Sequence, residues 1–322
     1  MAENILVTGG SGFICSHFVR YLLQNKSSCN VFNFDNLSYA GDLARLKDVA
    51  KNKNYHFIKA DLRNISDIEE VFSHPIDTVV HLAAESHVDN SIKDPFIFEE
   101  VNIRGTLNLL SCSSKYKVNK FIYISTDEVY GEIKKGKFSE ESCLMPNSPY
   151  SASKAAADFL VRAYVHTYNF PAIIVRPSNN YGPWQYPEKF IPVAISSVLA
   201  DRKIPVYAQG LNCREWLYVT DCARGIALVM DKGMLGEVYN LGSGMEKRNI
   251  EVAREILKLL EKGEDFINFV TDRPGHDFRY CLDSSKIKAL GFKPEVNFQT
   301  GIKNTVQWYK EKRTWTEEKL GV

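Results

Sequence analysis

Two short stretches of the chain carry side chains suited to acid–base work. The first, STDEVYG (Ser125–Gly131), continues from a β-rich run, KFIYIST, so Thr126, Asp127 and Glu128 project from a strand end. The second, PYSASK (Pro149–Lys154), sets Tyr150 and Lys154 four residues apart at a helix start. That spacing places both side chains on one helix face. An ammonium near a phenol favours the phenolate, and a phenolate can take a proton from a hydroxyl as hydride leaves the carbon beneath it. Adjacent carboxylates are often only solvated or capping groups. At a strand end facing a hydride acceptor, Asp127 and Glu128 can instead divide acid and base roles, provided their environments differ.

A hydride acceptor has a place in the sequence. GGSGFICSHF follows the strand NILVT (Asn4–Thr8) and opens a helix near Gly12–Gln24. Gly9 and Gly12 allow a tight turn and close backbone approach to a pyrophosphate, and the helix N-terminus adds positive charge. Asp35 ends a second strand, CNVFNFD (Cys29–Asp35), twenty residues after Cys15. A carboxylate there accepts hydrogen bonds from ribose hydroxyls and repels a 2′-phosphate, which favours NAD over NADP. The third glycine of the usual turn is replaced by Cys15. This cysteine reads either as a small packing residue or as a reactive thiol whose pKa the helix start lowers.

The elements that must hold these groups alternate. After the first two strands come YHFIKAD (Tyr55–Asp61) and DTVVHLAA (Asp77–Ala84), then a long helix over Pro95–Tyr116. The strand Lys120–Thr126, a helix over Pro149–Tyr168 and the strand Ala172–Ser178 complete the first half. Strands this apolar are buried on both faces, so the expected fold is α/β, a doubly wound Rossmann-type parallel sheet covered by helices. REWLYVTDCARGIALVMD reads as a strand and helix returning to that sheet, and helices are expected at Ile250–Glu261 and Phe298–Lys310. Residues 1–178 and 211–238 are thus assigned to an NAD-binding domain. Residues 179–210 and 239–322 are assigned to a smaller, interleaved substrate lobe.

Bulk properties narrow the partners. A chain of 322 residues with net charge +1 has no global field for nucleic acid or an anionic membrane. No apolar run approaches the ~20 residues of a membrane span. Seven scattered cysteines without a C-x-x-C pair, and a start without a basic-then-apolar leader, predict a cytoplasmic protein without a disulfide framework or structural metal. HLAAESH offers His81, Glu85 and His87 as metal ligands, but His81 falls inside a β pattern and no metal is expected.

The motifs TGGSGFI, HLAAESHVDNSI, STDEVYG, PYSASKAAAD, RPSNNYGPWQYPEKFIP, REWLYVTDCARGI and DRPGHDFRY span nearly the whole chain. Together they resemble the dTDP-glucose 4,6-dehydratases of the extended short-chain dehydrogenase/reductase family. The Asp-Glu pair within STDEVYG is the most specific element, since related epimerases and decarboxylases usually lack that aspartate. The resemblance implies oxidation at C4, loss of water across C5 and C6, and return of hydride to C6. It implies that Thr126 orients the 4-hydroxyl, Asp127 is the acid for water loss and Glu128 the C5 base. Tyr150 is implied as the base for oxidation, and Lys154 as its modulator and a ribose ligand. It further assigns Phe13, Ile14, Asp35, Asn36, Leu37, Ser38, Asp61, Leu62, Leu82, Ala83, Ala84 and Asn180 to NAD, beside Gly9 and Gly12. To the nucleotide sugar it assigns Ser86, Asn179, Lys189, Phe190, Pro205, Tyr207, Arg214, Asn240, Arg273 and His276. Cys15, Asn36 (where lysine is common) and Val101 (where threonine is frequent) depart from the pattern and bear on cofactor affinity.

A homodimer through the helices Pro95–Tyr116 and Pro149–Tyr168 is the family expectation, and a deoxysugar such as rhamnose for polysaccharide the usual pathway outcome. Alternatives are a UDP-glucose 4,6-dehydratase, a nucleotide-sugar 4-epimerase or, more remotely, a non-catalytic NAD(H)-sensing module.

Overall fold

The computed structural model describes residues 2–26 and 28–320. The apolar runs of the first half form β1 (Glu3–Thr8), β2 (Cys29–Asp35), β3 (Tyr55–Lys59), β4 (Thr78–His81), β5 (Lys120–Ile124) and β6 (Ala172–Pro177). They are followed by β7 (Asn179–Tyr181), β8 (Ile204–Tyr207), β9 (Cys213–Tyr218), β10 (Val238–Leu241), β11 (Glu246–Arg248) and β12 (Ile267–Val270). Seven strands pair in parallel in the order β3-β2-β1-β4-β5-β6-β10. The chain starts at β1, winds outward to β3, then crosses back to β4. This is the doubly wound Rossmann-type sheet, with its switch point between β1 and β4, where such sheets bind ligands.

The strands are apolar at consecutive positions because each face has its own cover. Ile5, Val7, Ile122, Ile124, Ile173 and Val175 face a core that includes Phe18 and Leu22 of the helix Phe13–Asn25 and Ile226 and Met230 of the helix Val219–Lys232. Their neighbours Leu6, Phe121, Tyr123 and Ile174 face the other core, with Val71, Leu109, Leu110 and Val161 from helices Ile65–Val71, Gly105–Lys115 and Pro149–Tyr168. Burying each such side chain contributes about 1.5–3 kcal/mol. The two covers therefore fix both the strand register and the direction in which the strand ends open.

Local signals set the helix that carries Tyr150 and Lys154. Pro149 occupies its first turn, and Ser148 caps it by accepting from the Ser151 N–H at 3.1 Å. Asn169 ends it in the left-handed conformation at φ 51°. The helix expected over Pro95–Tyr116 runs as Phe96–Phe98, Glu99–Arg104 and Gly105–Lys115. Its middle stretch is wound wide, with the Gly105 N–H donating to the Glu100 carbonyl five residues back. Within it Asn102 is buried: its Oδ1 accepts from the Glu85 N–H at 2.8 Å, and its Nδ2 donates to Ser153 Oγ at 2.9 Å. The wide turn thus ties the loop after β4 to the Tyr150 helix.

The second half departs from expectation in two places. β9, expected to return to the main sheet, pairs instead with β7 and β11 in a separate three-stranded sheet. β10 belongs to the main sheet and runs to Leu241, past the boundary expected at residue 238. Ile287 and Phe292 also pack into the sheet core. A smaller lobe has its own core, including Ile191, Val206, Trp216, Ile256 and Ile302, beside the two-stranded pair of β8 and β12.

Candidate active site

A cleft of about 300 Å³ opens along the C-terminal ends of the central strands. Gly9, Gly12, Phe13 and Ile14 line one end, after β1. Gly9 has φ +72°, and a Cβ there would stand 2.8 Å from the Ala83 Cα, so only glycine lets the turn lie against the loop after β4. Asp35 ends β2 and Asn36 and Ser38 follow it, Asp61 and Leu62 follow β3, and Leu82, Ala83 and Ala84 follow β4. Asp35 accepts from the Ser11 N–H at 2.9 Å and the Leu37 N–H at 2.8 Å, one bond to each oxygen. A carboxylate has about four acceptor sites, so room is left for ribose hydroxyls. Asp61 is clamped by Arg63, whose side-chain hydrogen bonds pull it down to about 2. These features fit a dinucleotide: a cradle that any side chain would fill, a helix N-terminus and a buried acid with spare acceptors.

Leu37, assigned to NAD, does not line the cleft; it stands at φ 55°, with its N–H turned to Asp35. Cys15 lies in the cleft wall, and burial pushes its thiol well above the ordinary range. The reactive-thiol alternative is therefore corrected: the helix start does not offset the loss of solvent, and Cys15 is a packing residue. His81 is spent as well. Its Nδ1 lies 2.7 Å from Thr8 Oγ1 and its Nε2 2.9 Å from Thr106 Oγ1, and burial holds it neutral with a pKa of about 3.

Thr126, Asp127, Glu128, Tyr150 and Lys154 line the same cleft, together with Ser86, Asn179, Asn180 and Lys189. Thr126 caps the short turn Asp127–Tyr130, its hydroxyl accepting from the Glu128 N–H at 3.3 Å. Gly131 closes that turn at φ +77°, where a Cβ would strike the Met145 carbonyl. The turn is pinned from below. Tyr130 Oη donates to Asn240 Oδ1 at 2.8 Å and accepts from Arg176 Nη1 at 2.7 Å. Arg176 in turn pairs with Asp158 at 2.9 Å, both fully buried.

The two acids differ electrically. Burial, then Glu128 and Glu215, push Asp127 well above the carboxylate range, and its Oδ2 is buried without a partner. Glu128 is also raised by burial, but Lys189, Arg273 and Arg214 pull it back. Lys154 donates to the Ile124 carbonyl at 2.8 Å and sits 4.4 Å over the Tyr123 ring. Burial lowers it to about 7, with Asp158 opposing. Tyr150 is raised, first by burial and then by Glu128, with the Thr126 hydroxyl the lowering influence. Lys154 is not among the groups that shift the phenol here; its ammonium is turned to the β5 carbonyl.

The lobe residues divide. Lys189 Nζ donates to the Ser86 carbonyl at 2.6 Å, at the cleft. Tyr207 Oη and Arg273 Nη1 both reach Asp89, at 3.2 and 3.3 Å, and His276 lies edge-on to Tyr207. Arg214 is 4.4 Å over the Tyr280 ring. Phe190 packs on the lobe core, and Pro205 sits beside Tyr207 on β8. Of these side chains only Lys189 lines the cleft. Asn240 is a correction: it is buried, its Oδ1 taken by Tyr130 and its Nδ2 by the Phe138 carbonyl at 3.0 Å. It supports the acid turn from below. The sequence reading missed Arg45, Gln185, Tyr186 and Glu188 in the cleft wall, and Asp89 and Glu215 beside it. All but Arg45 stand within the quoted motifs, but no spacing marked any of them.

A profile of the GDP-mannose 4,6 dehydratase family matches residues 6–305. The dTDP-glucose 4,6-dehydratase of Streptomyces niveus is 45% identical over 319 residues, 98% of this chain and 95% of its own. Among solved structures, the dTDP-glucose 4,6-dehydratase DesIV of Streptomyces venezuelae, with NAD and TYD bound, aligns with TM-score 0.97 at 43% identity, covering 98% of this chain and all of that one. The UDP-glucose 4-epimerase of Thermus thermophilus, in complex with NAD, aligns with TM-score 0.88 at 32% identity, over 96% of this chain and 99% of that one.

Proposed function

The chain belongs to the dTDP-glucose 4,6-dehydratase family, and from that premise we propose that it converts dTDP-glucose to dTDP-4-keto-6-deoxyglucose with NAD as its cofactor. NAD supplies the hydride acceptor and later the hydride donor, so the sugar is rearranged without net oxidation. Thr126 orients the C4 hydroxyl and Tyr150 takes its proton, while Lys154 holds the nicotinamide ribose. The C4 ketone acidifies the C5 proton, which Glu128 removes. Asp127 gives a proton to the C6 hydroxyl, which leaves as water. Hydride then reaches C6, Glu128 returns a proton to C5, and the proton held by Tyr150 balances the one lost by Asp127.

The observation that carries this reading is the unequal pair at the end of β5. Burial and two carboxylates raise Asp127 well above the ordinary carboxyl value, whereas the rise that burial imposes on Glu128 is opposed by Lys189, Arg273 and Arg214. A general acid and a general base are thereby set on adjacent residues. A 4-epimerase has no departing hydroxyl to protonate and no use for that acid. The test is product formation from dTDP-glucose and from UDP-glucose, with and without added NAD. Turnover of dTDP-glucose supports the reading; turnover of UDP-glucose alone moves the base preference, and neither sugar reacting removes it.

In this reading NAD lies between the glycine turn and Lys154, and the diphosphate meets Lys189, Arg214 and Arg273, whose charge suits it. Residues 1–178 and 211–238 bind mainly cofactor and the remainder mainly the nucleotide sugar, with β9 and β10 exchanged between them. Exposed Phe96, Leu107, Phe159 and Tyr168 on the two long helices support a homodimer through that face. A cytoplasmic site in deoxysugar supply, rhamnose for polysaccharide among the outcomes, fits the reaction; no described helix is long and apolar enough to cross a membrane.

A further inference from the structure

Arg45 is a large cation with no exposure, and it lines the cofactor end of the cleft. Its Nη1 donates to the Ser11 carbonyl at 2.9 Å and to the Ala40 carbonyl at 2.6 Å. Its Nε donates to the Trp184 carbonyl at 3.1 Å, and its guanidinium lies 5.5 Å from the Trp315 ring centre. One side chain therefore joins the glycine turn, the loop after β2, the segment after β7 and the last helix. The remaining nitrogen, Nη2, is buried and has no partner. A buried guanidinium with an idle donor is costly, because desolvation is not repaid by a hydrogen bond. The idle donor belongs to a residue of the cleft wall whose charge is felt by Asp35.

Resting on the reading of this cleft as an NAD site, we infer that Arg45 is a cofactor-binding residue whose Nη2 donates to an oxygen of the adenosine 5′-phosphate half of NAD. Asp35 and Arg45 then bracket that half, the acid accepting from ribose hydroxyls and the guanidinium donating to a ribose or phosphate oxygen. The same residue holds the Ser11 carbonyl, which also accepts from the Asp42 N–H at 3.0 Å. The glycine turn is thus held from outside at Ser11. The last helix backs the arrangement: Trp315 Nε1 and Lys319 Nζ reach Asp42 Oδ2 at 2.8 and 2.9 Å.

Calorimetric titration of NAD, AMP, adenosine and dTDP into the full-length protein and its Arg45→Met and Arg45→Lys variants tests the inference. Loss of one charge-assisted bond corresponds to about a ten- to hundredfold loss of affinity. That loss is expected for NAD and AMP in Arg45→Met, with dTDP affinity unchanged. A loss for AMP but not for adenosine identifies the phosphate oxygen; an equal loss for both identifies the ribose. Unchanged NAD and AMP affinity overturns the inference. So does an equal fall in dTDP affinity, which marks general loosening. If Arg45→Met does not fold, Arg45→Lys decides by the same comparison, because an ammonium cannot keep the three carbonyls and also reach the cofactor. Failure of the unaltered protein to bind NAD or AMP sinks the cofactor reading itself, and is distinct from these results.

Discussion

Asp127 and Glu128 are covalent neighbours on one turn, yet the charge of Glu215 raises the first while the charges of Lys189 and Arg273 pull the second down. In the proposed mechanism this contrast makes Asp127 the acid and Glu128 the base of water loss.

Asp127→Asn and Glu128→Gln should each lower turnover by about 10²–10⁴-fold, the usual share of general acid–base catalysis. Both variants should still oxidise the sugar at C4, so bound NADH should accumulate in a rapid-mixing absorbance experiment. Tyr150→Phe should abolish that signal along with the product. Normal turnover in Glu128→Gln would remove it from the mechanism.

The pH dependence has a definite sign. In the proposed mechanism Asp127 works in its protonated form, and the negative charge of Glu215 raises its pKa. Glu215 is fully buried, its oxygens accepting from the Leu282 N–H at 2.9 Å and the Gly244 N–H at 2.6 Å. Glu215→Gln removes that charge and lowers the Asp127 pKa. The alkaline fall of kcat should then begin at lower pH than in the unaltered enzyme. An unmoved alkaline limb would show that the charge of Glu215 is not felt at Asp127.

The Arg176–Asp158 pair has no exposure on either side chain. Arg176→Met alone strands a buried carboxylate and should cost about 3–5 kcal/mol in urea unfolding. Adding Asp158→Asn should recover a large part of that loss. A double variant as unstable as the single one would show that Tyr130, and not the charge, carries the coupling.

Cys15 should be slow to react. In native protein a maleimide should label exposed Cys143 before Cys15, as read by peptide mapping. Cys15→Gly should leave NAD affinity within a few-fold, while stability falls by about 1 kcal/mol because glycine is a poor helix residue. Labelling of Cys15 first would restore the redox reading.

The cleft residues that were legible share one property: their chemistry is set by local order. The glycines of the first turn, Asp35 at a strand end and Tyr150 with Lys154 on one helix face all follow from spacing within one element. β1 and β5 were legible for the same reason, since an apolar run between turn formers leaves few other structures. Asn240 was assigned to the nucleotide sugar by resemblance alone, whereas its amide is taken by Tyr130 and the Phe138 carbonyl, both more than a hundred positions away in the sequence. β9 has the composition of a sheet strand, but its partner is chosen by tertiary packing against β7. Arg45, Asp89 and Glu215 act through contacts across the fold, and no periodicity announces them.

The most direct test of the account follows the hydride. The protein is given dTDP-glucose carrying deuterium at C4, and the product is analysed by NMR for its position. Retention of deuterium at C6 is the predicted result, because hydride taken from C4 returns to the same sugar within one closed cleft. Deuterium lost to solvent or found in released NADH would contradict the account.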